Sequence, residues 1–209
     1  QVRGLDRFGE QAHDIISSST TRKAFDLSLE KTSESTRFGR HEFGQSLLLA
    51  SRLIEAGVHF VTVRLRPAEF DFDTHLDNFS KLSALLPPFD KGLASLIDRL
   101  KERGLFRSTA IMVAGEFGRT PKINGQGGRD HWARAMFALM AGGDVEGGQV
   151  IGETDDRAGA PVGNGYSPDD LAASFFQNIG IDPQTEFHAN VGRPVTLVRD
   201  GKPISQLFS

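Results

Sequence analysis

The chain has 209 residues, enough for one good-sized α/β domain and short for two. Its net charge of −3, with acids and bases interspersed, excludes a basic face for nucleic acid, and its apolar runs are too short to span a bilayer. Cysteine is absent, which removes disulfides, thiolate metal sites and a cysteine nucleophile together. The composition is that of a soluble globular protein.

Residues 1–37 are polar, with Ser17–Arg22 and Lys31–Arg37 flanking the AFDLSLE segment, and are expected to form short helices in a peripheral N-terminal segment. Residues 38–209 are expected to form a single domain. A helix is predicted from about Arg40 to Ala56, because Phe43, Leu47, Ala50 and Ile54 recur at helical spacing and Gly57 stands where a left-handed cap belongs. VHFVTVRL, rich in β-branched residues, predicts a buried strand directly after it. Leu93, Leu96, Ile97 and Leu100 stripe a second helix that Gly104 ends, and STAIMVAG reads as the next buried strand.

RAMFALMAGG predicts a third strand. Ser167 as N-cap, Pro168 at the first helical position, Asp170 in capping-box position and Gly180 as stop predict a further helix. VTLVRDGKPISQLF reads as a C-terminal hairpin about Asp200 and Gly201. Helices alternating with buried strands predict an α/β fold, a largely parallel sheet covered by helices on both faces. In such sheets the loops after the strands carry the chemistry.

Two polar loops follow predicted strands. In the first, Asp73 and His75 at i, i+2 point the same way from extended backbone, an oxygen and a nitrogen that suit Zn, Mn or Fe better than Ca or Mg, Zn or Mn foremost. In the second, GEFGRTPKINGQGGRDHW supplies Glu116, Arg119, Arg129, Asp130 and His131 among permissive glycines. Asp73, His75 and His131 make a two-histidine, one-carboxylate set for one divalent metal, with Glu116 as a further ligand or general base. Arg119 and Arg129 are candidates for binding a substrate anion, and Asp130 for orienting an imidazole. Each also has an ordinary reading: Asp73 as a helix cap, Glu116 and Arg119 as an ion pair, Trp132 as a packed wall.

FDTH, GEFGRTPKIN and GRDHW, in that order, resemble an uncharacterised bacterial family placed in the alkaline phosphatase and sulfatase superfamily. The resemblance runs from about Arg22 to the C-terminus. It implies an alkaline-phosphatase-like fold and a metal-dependent hydrolase of phosphate or sulfate esters, acting on a small anionic ester. It also implies a periplasmic or extracellular location. Asp73, His75 and His131 would hold one metal, and Glu116 would belong to a second site whose histidine position is taken by Phe117. The superfamily's nucleophile lies at the start of its domain, where this chain offers none, and the chain begins with Gln1. It therefore reads as the C-terminal part of a longer protein. The alternative is a non-catalytic binding or scaffold member with a degenerate metal site.

Overall fold

The structure, a computed structural model, describes residues 9–10, 13, 18–64, 71–163, 165–188 and 192–208. The chain forms two compact units, one of residues 1–73 and 79–103, the other of residues 74–78 and 104–209.

The first unit is helical. Helices α1 (Ser19–Phe25) and α2 (Thr32–Phe38) pack on α3 (Glu42–Glu55). The expected apolar stripe forms, with Phe43, Leu47 and Ala50 buried. His41 caps the helix, its Nδ1 accepting from the Gly44 amide at 3.1 Å, and Gly57 closes it at φ +88°. Helix α4 runs from Asn78 to Glu102, straight through Pro87 and Pro88. The apolar stripe locates only its second half, because a proline pair reads as a helix breaker. Tertiary contact carries the helix past them: Phe89 stacks on Phe43 with ring centroids 5.4 Å apart, and Leu96 and Leu100 are buried.

Arg99 of α4 is only 1% exposed. Its Nε donates to Glu55 at 2.7 Å, its Nη2 to Glu30 at 2.9 Å, and its Nη1 lies 3.2 Å from Glu34. Burial alone would lower its pKa, but the hydrogen bonds to Glu30 and Glu55 outweigh that and raise it. The Arg99 hydrogen bond also holds Glu30 below the ordinary carboxylate range, with Arg52 adding to the effect and burial opposing it.

The second unit departs from the predicted fold. Among the described residues the strands form only three short antiparallel pairs: β1 (Ile111–Ala114) with β4 (Ala138–Ala141), β2 (Gly118–Arg119) with β3 (His131–Trp132), and β5 (Glu186–His188) with β6 (Pro194–Thr196). The largely parallel, alkaline-phosphatase-like sheet is therefore incorrect. A parallel pairing needs a crossover connection, usually a helix. Between β1 and β4 the chain instead places β2 and β3. STAIMVAG and RAMFALMAGG do contain strands, but of half-exposed pattern, with Met112 and Leu139 each 42% exposed. VHFVTVRL forms no strand over its described residues 58–64, and Phe60 is 68% exposed; Leu65 lies outside the described residues.

Helix α5 (Pro168–Asn178) forms with the predicted capping box of Ser167 and Asp170. Asp170 does more than cap: its Oδ1 accepts from the Lys202 amide at 2.8 Å. That bond, followed by one from the Ser167 amide, lowers its pKa. The C-terminal stretch thus lies along α5, Ile204 donating its amide to Ser174 Oγ at 2.8 Å, rather than turning a hairpin at Asp200 and Gly201. Gly201 serves close approach: a Cβ there would sit 2.0 Å from the Asp169 carbonyl oxygen. Gly201→Ala is expected to destabilise this unit by about 2 kcal/mol, since backbone has to yield to the methyl. A chemical denaturation midpoint unchanged by the substitution would contradict that packing. No helix among the described residues is long and apolar enough to cross a membrane.

Candidate metal centre

The centre is built on the β2–β3 pair and on the short stretch Thr74–Asn78 of the same unit. Main-chain bonds fasten that stretch. The Arg129 amide donates to the Thr74 carbonyl at 3.0 Å, Asn78 N to Gly127 O at 3.0 Å, and Leu76 bridges Gly127. Gly128 permits the approach, because a Cβ on it would lie 1.9 Å from the His75 carbonyl oxygen. The glycines of NGQGG therefore let one segment of backbone close on another.

Asn124 organises this loop. Its Oδ1 accepts from the Gln126 and Gly128 amides, both at 2.9 Å, which turns its Nδ2 toward the His75 carbonyl at 2.9 Å and Asp130 Oδ1 at 3.1 Å. Thr120 Oγ1 accepts from the Asp130 amide at 3.0 Å and donates to Lys122 O at 2.9 Å. Neither Asn124 nor Thr120 stands out in the sequence. The turn-forming Asn-Gly pair that Asn124 makes with Gly125 is the one signal that would have pointed to it.

The structure brings the three predicted ligands together. One donor atom each from Asp73, His75 and His131 lie within 4.8 Å of one another. Asp73 joins through the peptide bond to Thr74, two residues from His75, and is exposed together with His131, while His75 is half-buried. The Nε2 atoms of His75 and His131 are 3.1 Å apart. Two nitrogens sharing a tetrahedral zinc at ~2.05 Å would sit ~3.3 Å apart, so the imidazole pair has the spacing one ion requires.

His75 Nδ1 meets Asp130 Oδ1 at 3.0 Å. The hydrogen bond from His75, then that from Asn124, lowers the pKa of Asp130 from its ordinary value. Phe117 does not leave a hole where a histidine was expected. Its ring packs on that of His131 with centroids 4.4 Å apart and forms one wall of the site.

Arg119 and His131 are register partners across β2 and β3, so their side chains share one face beside the cluster. The guanidinium carbon of Arg119 lies 5.4 Å from the Phe117 ring centroid, and its Nη2 is 3.6 Å from Glu116 Oε1. Glu116 is exposed, and it is paired to Arg119 rather than being a member of the three-residue ligand cluster. Arg129 braces the loop, its Nη1 donating to the carbonyls of Thr120 at 2.6 Å and Pro121 at 2.7 Å. Trp132 is half-buried, with its indole N–H on the Gly159 carbonyl at 2.8 Å.

A family model described as "Protein of unknown function (DUF1501)" matches residues 1–208, and the chain belongs to that family. The match is to this family and not to a sulfatase family, which corrects the sulfatase-like placement drawn from the sequence motifs. No curated protein and no solved structure matches the chain.

Proposed function

We propose that the protein is a metal-dependent hydrolase of small phosphate or sulfate esters, with Asp73, His75 and His131 holding one Zn(II) or Mn(II). The observation that carries this reading is the meeting of those three donor atoms within 4.8 Å on a solvent-accessible face. A divalent ion held by three protein ligands with an open position acidifies water and polarises an ester oxygen. The chain's own residues do the rest. His75 and His131 fix the direction of approach, and Phe117 shields one side of the His131 ring. Arg119, on the same face as His131, receives the anionic group of the ester. Glu116 restrains Arg119 until an anion competes for it.

A non-catalytic binding role is the second reading, favoured by the same Glu116–Arg119 pair, which already offsets the cation meant for substrate. A panel of aryl phosphates and aryl sulfates, assayed with Zn(II) or Mn(II), separates the two. Turnover abolished by chelation is expected. Arg119→Ala should raise KM about 10- to 100-fold, the worth of a charge-assisted contact. A protein that binds metal yet turns over nothing in the panel would leave the binding role ahead.

A further inference from the structure

We infer that Asp130 is the positioning residue of this centre: it holds His75 as the Nδ1–H tautomer, leaving Nε2 to face the cation, and is itself held by Asn124. The inference rests on reading Asp73, His75 and His131 as metal ligands.

A neutral imidazole carries one N–H, so the partner of one nitrogen decides what the other can do. A carboxylate only accepts. At 3.0 Å from Asp130 Oδ1, His75 Nδ1 must be the donor, and Nε2 keeps its lone pair. Asp130 lies on the Nδ1 side of the ring, whereas the His131 Nε2 lies on the Nε2 side at 3.1 Å. The carboxylate therefore orients a ligand from behind, an arrangement that fixes ring and tautomer together.

Asn124 gives Asp130 its own constraint. With Oδ1 committed to two backbone amides, the amide cannot flip without losing both bonds. Its Nδ2 then joins Asp130 Oδ1 and the His75 carbonyl, so one side chain spaces the carboxylate from the histidine it serves.

A consequence separates the two histidines. In the metal-free protein, His75 Nε2 accepts, so His131 Nε2 carries the proton between them. On cation binding that proton leaves Nε2 of His131 and Nδ1 takes one up, with no net change. His75 is preset by Asp130, and His131 is the ring that switches.

The test uses the full chain as wild type, Asp130→Asn and Asp130→Ala. Long-range proton–nitrogen NMR of the metal-free proteins reads the histidine tautomers, and Co(II) titration with visible absorption reads affinity and geometry. Wild-type His75 should be Nδ1–H. Asp130→Ala should lose that preference and weaken Co(II) binding about 10- to 100-fold. Asp130→Asn, whose amide oxygen still accepts, should keep the tautomer and lose less affinity. A wild-type His75 found as Nε2–H overturns the proposal without recourse to any variant. So does an Asp130→Ala affinity within about twofold of a wild type that binds. Failure of the wild type to take up Co(II) overturns the ligand reading itself.

Discussion

His75→Ala is expected to lower Zn(II) or Mn(II) affinity by at least about 100-fold while leaving the far-ultraviolet circular dichroism spectrum unchanged. The lower bound follows from the ligand count. Loss of a residue that merely orients a ligand costs up to about 100-fold, and removing one of three ligands outright costs no less than that upper end. The substitution deletes the Nε2 donor and strands the carboxylate of Asp130, but that carboxylate is exposed and keeps Asn124. The fold survives because this segment is fastened through its main chain. The His75 carbonyl still accepts from Asn124, Thr74 O from the Arg129 amide, and Leu76 still bridges Gly127. Calorimetric titration of both proteins decides the matter, and equal affinities would remove His75 from the ligand set.

The second large effect belongs to the helical unit. Arg99→Met should destabilise it by about 3 kcal/mol, the lower end of the cost of breaking a buried ion pair. The lower end applies because each glutamate retains another cation: Arg52 for Glu30, Arg37 at 3.8 Å for Glu34, and Arg103 at 3.8 Å for Glu55. Acid should act through the same group. Glu30 has its folded pKa below the ordinary glutamate value of 4.5. Its contribution is therefore complete above about pH 4.5 and lost as pH falls through the folded value. In Arg99→Met that depression is reduced, so this part of the acid sensitivity should shrink. Urea midpoints measured between pH 3 and pH 7 for both proteins test it. A variant as acid-sensitive as the wild type would place the linkage elsewhere.

Local features were readable in the sequence to the extent that their physics is local. The stripe of α3, the Ser167–Asp170 capping box and the glycines at 57, 104 and 180 follow from spacing and backbone preference alone, and all form. Strand pairing is not local. IMVA carries β-propensity through Ile111 and Val113 and ALMA is merely apolar, and nothing in either run distinguishes a parallel neighbour from the antiparallel one each has. Gly201 misled for a related reason. Asp-Gly suggests a turn, whereas here the missing side chain admits a carbonyl from α5. At the centre, Asp73, His75 and His131 were recognisable by donor type, and the structure brings them together. Asn124 was not, because three of its bonds stay within its own loop and read as an ordinary turn, while the one that ties it to the centre, to the His75 carbonyl 49 residues away, is created only by the fold.

Trp132 has a practical consequence. It is the sole tryptophan of the chain, it follows His131 directly in β3, and its indole N–H is tied to the carbonyl of Gly159. All of the protein's indole fluorescence therefore comes from one ring, a single residue away from a ligand to the proposed ion. A paramagnetic cation seated there lies well within quenching range of that ring. The protein carries its own optical gauge of occupancy, needing no dye, no label and no knowledge of the substrate.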